Sequence, residues 1–227
     1  MISFMKKKKR LFFLLLFTLM ITTIVFISTT RIGAKKVFAA GNELKITVDN
    51  VNVIVDFSED EKFHCRYNHS LYIVKRKQKD SSTVISVKRK KGKLKKKEID
   101  TADFIKVSIP NKTYTKITGI AKNAGLSMPS ANANIIVKNY SSAVNLTLPT
   151  RFHKKIKYIG KDGSGSIAMN GNNKFMIDVE VSNTALSTFW GGDSSGDAIY
   201  QYQHGDGKRR PKIQLNLEDC AFSIVEK

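Results

Sequence analysis

The strongest constraint on the fold of this chain is a short strand signature that returns at intervals of 19 to 21 residues in its C-terminal half. Five copies start 19, 20, 21 and 19 residues apart, and a sixth follows after 36. The copies are Val107-Ser108-Ile109-Pro110, Leu126-Ser127-Met128-Pro129, Leu146-Thr147-Leu148-Pro149, Ile167-Ala168-Met169-Asn170, Leu186-Ser187-Thr188 and Phe222-Ser223-Ile224. Nine residues before each copy from the second on stands another strand-type residue, namely Ile117, Val137, Tyr158, Ile177 and Ile213. Two strand positions in each period predict one coil of a β-solenoid.

Within each copy, apolar side chains alternate with small ones, as at Leu146, Thr147 and Leu148. Successive side chains of a strand point to opposite faces, so the apolar residues predict an inward row and the small residues an outward row. One coil cannot cover its apolar face, whereas stacked coils enclose a column in which each Leu, Ile or Met contributes roughly 1.5 to 3 kcal/mol. We therefore predict an all-β protein in which residues 104–227 form a parallel β-solenoid.

Residues 40–103 carry a second strand pattern, which alternates strictly from Glu43 to Phe57 with a turn at Asp49-Asn50. Further strand candidates lie at residues 62–67, 71–75 and 84–88, separated by short turn-type segments. Strands in close succession with tight turns are typical of a meander. This region is therefore predicted to be an antiparallel β-meander with a basic loop that runs into the solenoid.

The first 39 residues are typical of an export segment. Residues 6–10 (KKKKR) precede an uncharged apolar run over residues 11–30, and Val37-Phe38-Ala39 fits a signal-peptidase site with cleavage after Ala39. A run of about 20 residues is also long enough to span a bilayer, so a retained anchor helix is the alternative. In both cases the rest of the chain is predicted to be extracytoplasmic, either secreted or tethered to the cytoplasmic membrane by residues 11–30.

The charge of the exported part favours anionic partners. The formal net charge is +20, and residues 1–39 contain eight of the 39 basic residues and none of the 19 acidic ones. Such an excess outside a cell favours a cell-wall polymer bearing phosphate, an acidic glycan or a membrane surface. Nucleic acid is not expected as a partner, because the compartment is wrong and no nucleic-acid-binding motif is present.

The basic residues are densest at residues 88–97, where eight of ten positions are Lys or Arg. Charges this dense cannot be buried, so the segment is predicted to be solvated. It is either a contact for an anionic surface or a solubilising hairpin tip. The predicted contact residues are Lys88, Arg89, Lys90, Lys91, Lys93, Lys95, Lys96 and Lys97.

The interval of 36 residues before the last copy indicates an insert at residues 191–211. Insertions into a solenoid form loops on its flank, and such loops often bind ligands. The candidate ligand-binding residues are Trp190, Asp193, Asp197, Tyr200 and Tyr202. The aspartates are spaced irregularly, so the sequence favours a polar loop over a calcium site. Trp190 either offers a platform for a sugar ring or caps the hydrophobic column.

The sequence contains no motif for catalysis, metal binding or a cofactor. The four histidines have no metal-ligand spacing, and Gly163-Ser164-Gly165-Ser166 does not match a serine-hydrolase elbow. Lys154, Lys155, Lys157 and Asp178 are the only candidates for a polysaccharide-lyase-like site, and their relative placement is open. We predict a protein that is not an enzyme and that has no metal or cofactor. Cys65 and Cys220 either pair or remain as two inert thiols.

Residues 43–227 resemble the bacterial putative-adhesin domain family, which comprises exported β-solenoid domains of unknown function. The resemblance rests on VNVIVDF, KFHCRY, VISVKRKK, FIKVSIP, KITGIAKNAGLSMP and KIKYIGKDGSGSIAMN. It implies an exported, non-enzymatic cell-surface module and brings no catalytic or binding residues. The chain departs from the family pattern at residues 88–97 and 191–211. The alternatives are a membrane-anchored envelope-stress sensor or scaffold and, with less support, a polysaccharide-lyase-like enzyme.

Overall fold

The computed structural model describes residues 42–91, 104–170, 174–205 and 211–227, and it contains strands and no helix in those residues. The all-β prediction is therefore confirmed. The sixteen strands are β1 (Glu43–Asp49), β2 (Asn52–Ser58), β3 (His64–Arg66), β4 (Tyr72–Lys79), β5 (Ser82–Arg89), β6 (Phe104–Pro110), β7 (Lys116–Lys122), β8 (Gly125–Ser127), β9 (Asn134–Tyr140), β10 (Ala143–Thr147), β11 (Lys155–Lys161), β12 (Ser164–Met169), β13 (Phe175–Thr188), β14 (Ser194–His204), β15 (Lys212–Glu218) and β16 (Ala221–Glu226).

The predicted signal or anchor lies outside the described residues. In the part of the chain that the structure describes, no helix is long and apolar enough to cross a membrane.

Most strands pair in parallel within two rows. The first row runs β5, β1, β7, β9, β11, β15 and the first half of β13. The second row runs β6, β2, β8, β10, β12, β16 and the second half of β13. We call one strand of the first row and the strand that follows it in the second row a rung. Because β13 contributes to both rows, the two rows belong to one sheet.

Five rungs change direction at a two-residue turn whose first residue has a left-handed backbone. These residues, with φ between 46° and 54°, are Asn50, Asn123, Ser141, Asp162 and Asp219. Asparagine and aspartate are the side chains that tolerate this conformation best after glycine. The amide of each turn residue donates to a carbonyl of the neighbouring rung, for example Asn123 N–H to Tyr140 O at 3.1 Å. The turns therefore stack along the molecule and continue the hydrogen bonding of the strands.

The core is a column between the two rows, and it follows the predicted alternation. Leu146, Leu148 and Ile167 are buried, and so are Ile117 and the other strand residues found nine positions before each copy. Small residues between them, such as Ser127 and Thr147, face outward. The predicted division into inward and outward positions is confirmed, because the period of two is a property of the strand backbone.

The predicted antiparallel meander in residues 40–103 is wrong. β1 and β2 do not pair with each other; β1 lies in parallel between β5 and β7, and β2 in parallel between β6 and β8. If β2 folded back on β1 as a hairpin, the apolar side chains of the two strands would share one uncovered face. Because β2 instead turns into the second row, the apolar side chains of both strands are buried between the rows. Within residues 42–91, only β4 pairs with its neighbour along the chain in the antiparallel sense, on β5, while β3 pairs antiparallel with β6.

The predicted loop at residues 191–211 is largely a strand. β14 pairs antiparallel with β13 over most of its length, with an irregularity between Val181 and Thr184. The edge of β13 would otherwise expose unpaired amide and carbonyl groups, and β14 satisfies them. The chain then returns, and β15 and β16 form a rung that lies between β13 on one side and the rung of β11 and β12 on the other. The order of rungs in space therefore differs from their order in sequence.

Both cysteines are free thiols, Cys65 half-buried and Cys220 buried. Six strand spacings separate β3 from β16 in the sheet, which corresponds to about 29 Å. A disulfide needs Cα atoms within about 7 Å, so these two cysteines do not pair with each other.

Candidate polyanion-binding face

The outward side of the first row, together with the edge strand β4 that pairs with β5, carries a dense set of lysines from six adjacent strands. In-register pairing brings together residues that are far apart in sequence, such as Lys45 of β1, Lys138 of β9 and Lys157 of β11. We call the outward residues of β4, β5, β1, β7, β9 and β11 the lysine face. Its eleven lysines are Lys45, Lys75, Lys77, Lys79, Lys88, Lys116, Lys122, Lys138, Lys155, Lys157 and Lys161.

The rigid sheet backbone sets the dimensions of the lysine face. Neighbouring strands lie about 4.8 Å apart, so six strands span about 24 Å, and outward residues of one strand follow each other at about 7 Å. Alternate residues of these strands, such as Ile46 and Val48, are anchored in the core. The lysines therefore project from strands whose alternate side chains are held in the core.

Few of these ammonium groups are neutralised within the face. Glu43 and Asp49 are the only carboxylates on its six strands, and Lys116 lies 3.5 Å from Glu43 Oε2. Lys161 is bonded to Glu218 of the neighbouring strand β15 at 2.8 Å, and this hydrogen bond raises the pKa of Lys161. Among the described residues, the other nine lysines have no carboxylate within 4.0 Å. These nine ammonium groups are therefore free to contact an external anion.

The charge changes sign further along the same row. The outward positions of β15 and β13 include Asp178, Glu180 and Glu218. Lys212 lies 2.6 Å from Asp178 Oδ2, and this hydrogen bond lowers the pKa of Asp178 with help from Gln201. The row is therefore basic from β4 to β11 and acidic beyond it.

The predicted basic cluster meets the lysine face at one residue. Lys88 of β5 points outward beside Asp49, whereas Arg89 is half-buried and its Nε is enclosed. Lys90 and Lys91 are exposed beyond the end of β5, and Lys93, Lys95, Lys96 and Lys97 lie outside the described residues. The lysines of the separate strands were not predicted as contact residues from the sequence. Their signal is a lysine at alternate positions, as in residues 75–79 and 155–161.

The residues predicted to bind a ligand at residues 190–202 make local contacts. Asp193 Oδ1 accepts the amide hydrogen of Thr188 at 2.6 Å. Asp197 Oδ1 accepts from the Ser182 hydroxyl and the Asn183 amide, and these bonds lower the pKa of Asp197. Both carboxylates thus stabilise turns. Within the described part of the chain, no three His, Cys, Asp or Glu side chains are grouped as a metal site would require.

The aromatic residues of this segment close the end of the core. Trp190 stacks on Tyr202 with ring centres 4.7 Å apart, and it also packs against Phe175 and Phe189. The Tyr200 hydroxyl donates to Gly192 O at 2.8 Å. The structure therefore favours Trp190 as a cap on the hydrophobic column, since its ring is engaged within the protein. A binding role for the segment stays a prediction.

The residues considered for a lyase-like site do not converge. Lys157 and Asp178 occupy the same outward level, but β15 lies between their strands and Asp178 is bonded to Lys212 and Gln201. Lys154 and Lys155 lie at the start of β11.

A groove of about 860 Å³ follows the stacked turns between the two rows. Small residues line it, including Ala124, Ser142 and Gly163, together with the carboxylates Asp162 and Asp219. This lining offers no cation to an anionic ligand. Among the described surfaces, the lysine face is therefore the candidate site for a polyanion.

Comparison with known proteins supports the fold without identifying a family. No protein-family profile matches the chain. No curated protein matches it either. A solved structure described as a putative cell adhesion protein from Clostridium sporogenes ATCC 15579 is similar in fold, with a TM-score of 0.55 and 15% sequence identity. The match covers 83% of this chain and 95% of that protein.

Proposed function

We propose that this chain is an exported, non-enzymatic β-solenoid that acts as a surface binding or adhesion module with affinity for anionic envelope polymers or membranes. The stacked rungs, with their turns at residues of left-handed backbone conformation, support the solenoid part of this proposal. The basic and apolar residues 1–39 support export. The structural neighbour described as a cell adhesion protein is consistent with a place at the cell surface.

The lysine face is the observation that carries the proposal. Nine of its lysines have no carboxylate partner among the described residues, and the support beneath them is a rigid sheet. Such an array meets an extended anionic surface without rearrangement, so little conformational entropy of the backbone is lost on binding. A basic residue near an acidic membrane contributes about 1 kcal/mol, and salt screens this attraction.

The direct test removes three central lysines of the face. The variant Lys45→Ser/Lys138→Ser/Lys157→Ser should lose about 3 kcal/mol of affinity, or about 100-fold, for anionic vesicles and for walls that bear teichoic acid. Retention of the wild-type protein should also fall steeply as salt rises. Sedimentation with vesicles or isolated walls measures both effects.

A matched control separates the face from the net charge. Lys62→Ser/Lys174→Ser/Lys227→Ser removes the same number of charges from exposed positions outside the lysine face. It should lower retention much less than the first variant. Equal losses would show that the net charge alone attracts the anion, and retention that ignores salt would contradict the proposal altogether.

A further inference from the structure

The middle of the lysine face carries large apolar side chains. Four outward residues of β7, β9 and β11 form this patch, which we call the apolar centre: Ile120, Ile136, Tyr140 and Ile159. Tyr140 is 37% exposed, and the three isoleucines are half-buried. The core does not require apolar residues at these positions, because the alternate residues of the same strands fill it. The apolar centre is therefore an apolar surface set within a basic one.

Lys138 stands in the middle of the apolar centre. It faces Ile120 on β7 and Ile159 on β11. Ile136 and Tyr140 are the outward residues before and after it on β9, each about 7 Å away along the strand. Lys138 is itself half-buried, so part of its aliphatic stem is covered while its charge stays hydrated. The face thus presents an ammonium group directly among apolar side chains.

Further lysines border the apolar centre. Lys122 and Lys161 lie on either side of Tyr140, and Lys157 lies beside Ile136. The Lys122 ammonium is 5.9 Å from the centre of the Tyr140 ring. The patch spans about 10 Å across the strands and about 14 Å along them. Cations and apolar groups are therefore interleaved over a few ångströms.

This interleaving fits the surface of a lipid bilayer better than it fits a hydrophilic polymer. The bilayer interface offers lipid phosphates and, just beneath them, acyl chains, and apolar side chains that enter it add to the electrostatic attraction. Tyrosine is enriched at this interface because its ring is apolar and its hydroxyl is polar. A teichoic acid or an acidic glycan offers no apolar group, so contact with it would gain little from the isoleucines.

We propose that the lysine face binds the surface of an anionic lipid bilayer, with the apolar centre inserted among the lipid headgroups. This inference rests on the proposed function and selects the membrane from the anionic partners named there. The lysines supply an attraction that salt screens. The apolar centre supplies a contribution that depends on buried apolar area instead. Binding then requires negative charge and lipid together.

A tryptophan in the apolar centre tests for contact with lipid in the full-length chain. Tyr140→Trp in vesicles of phosphatidylglycerol and phosphatidylcholine should lose emission when the acyl chains carry bromine, because bromine quenches tryptophan only at contact. Val225→Trp, at a 42% exposed position of the second row, is the matched control and should keep its emission. Trp190, the only native tryptophan, stacks on Tyr202 and gives both variants the same background.

The result at position 140 decides the inference. Quenching at position 140 alone, in anionic vesicles and not in vesicles of phosphatidylcholine only, is the expected result. No quenching at position 140, equal quenching at position 225, or equal quenching in neutral vesicles would overturn the inference.

Three substitutions in the Tyr140→Trp chain separate the apolar contribution from the charge. Ile120→Thr/Ile136→Thr/Ile159→Thr keeps every lysine and keeps β-branched side chains in the strands. It should reduce the quenching by about half or more, because the inserted apolar area is lost. Thermal unfolding checks that the variant folds. Undiminished quenching in the folded variant would contradict insertion of the apolar centre.

A matched control removes apolar side chains from other places. Ile54→Thr/Ile199→Thr/Val225→Thr in the Tyr140→Trp chain replaces three exposed apolar residues outside the lysine face. Its quenching should equal that of the Tyr140→Trp chain without further substitution. An equal loss in both triple variants would show that apolar residues at any position have this effect and would overturn the inference.

Failure of this inference can be told apart from failure of the proposed function. If vesicles and walls retain the protein through Lys45, Lys138 and Lys157 but position 140 is not quenched, the anion is a hydrophilic polymer or the lipid headgroups alone. The proposed function then stands and the inserted apolar centre is wrong. If neither retention nor quenching depends on these three lysines, both are wrong.

Discussion

The outward sides of the two rows differ in charge, although three rungs contribute a strand to each of the two faces compared. The lysine face has eleven lysines on β4 and on five strands of the first row. The outward positions of β8, β10, β12 and β16 in the second row, which we call the neutral face, carry no charge. They are Gly125, Ser127, Ala143, Asn145, Thr147, Ser164, Ser166, Ala168, Ala221, Ser223 and Val225.

The neutral face shows that the outward side of these strands can be built without charged side chains. Both faces cover the same column of buried residues, and the neutral face does so with small side chains and contacts such as Ser166 Oγ to Asn145 Oδ1 at 2.9 Å. Like charges on neighbouring strands repel and destabilise a sheet. The lysine face therefore costs stability that the neutral face does not, and an external anion would offset that repulsion.

The largest expected effect tests whether inward and outward positions differ as described. Leu146 is 2% exposed, so Leu146→Asp would bury a carboxylate without a partner and should destabilise the protein by about 4 kcal/mol or more. Asn145→Asp, the outward neighbour in the same strand, should change stability by less than about 0.5 kcal/mol. Denaturant unfolding measures both. Similar losses would show that the register of β10 is wrong.

The second prediction asks whether the arrangement of lysines matters beyond their number. Ser127→Lys/Asn145→Lys/Ser166→Lys, added to the variant that lacks Lys45, Lys138 and Lys157, restores the net charge on the opposite face. A flat anionic surface cannot contact both faces at once, so retention should stay about 100-fold below that of the wild type. Full recovery on anionic vesicles would make the distinction between the faces irrelevant to binding.

The third prediction compares glycines on the two sides of the second row. A Cβ at Gly165 would overlap the buried Tyr158 hydroxyl and lie 2.8 Å from Phe222, so Gly165→Ala should cost about 1 to 3 kcal/mol. At Gly125 the Cβ would meet only the exposed Asn52 side chain, which can rotate away, and Gly125→Ala should cost much less. Thermal unfolding of both variants checks this, and the reverse order would mean that Gly165 does not face the core.

The smallest effect concerns the acidic part of the first row. The pKa of Asp178 is lowered in the folded state by its hydrogen bond to Lys212, so the pair stabilises the protein above the ordinary aspartate pKa. This contribution should disappear as the pH falls through the lowered pKa. Because both groups are partly solvated, it should amount to less than about 1 kcal/mol. The free energy of unfolding of Asp178→Asn should therefore fall less than that of the wild type on acidification. Denaturant unfolding between pH 2 and 6 measures this difference.

Much of the local structure could be predicted from the sequence. The alternation through Leu44, Ile46 and Val48 predicted the buried side of β1, and the turn predicted at Asp49-Asn50 lies within one residue of the observed one. These features depend on neighbouring residues only. The same alternation did not reveal that β1 pairs with β5 and β7, because every strand of the column has a similar apolar pattern and similar patterns do not select a partner.

The candidate site shows the same limit. The cluster at residues 88–97 was visible as a run of charge, yet most lysines of the lysine face come from strands that are distant in sequence. Lys45 and Lys138 meet on one surface only because β7 lies between their strands in register. The segment at residues 191–211 was predicted as a loop, and the edge strand β14 within it depended on the free edge of β13.

The sequence by itself determined the all-β character, the inward column and the exposure of Lys88, Lys90 and Lys91, because a strand's period of two and the solvation of charge are local properties. Tertiary structure alone decided the order of the rungs. The rung of β1 and β2 lies between the rung of β5 and β6 and that of β7 and β8, and the rung of β15 and β16 lies between β13 and the rung of β11 and β12. It also decided which lysines share a face and which edge stays open. Strand pairing joins backbone groups that are far apart in the chain. Because the backbone amide and carbonyl groups of different residues are chemically alike, they do not specify which strands pair.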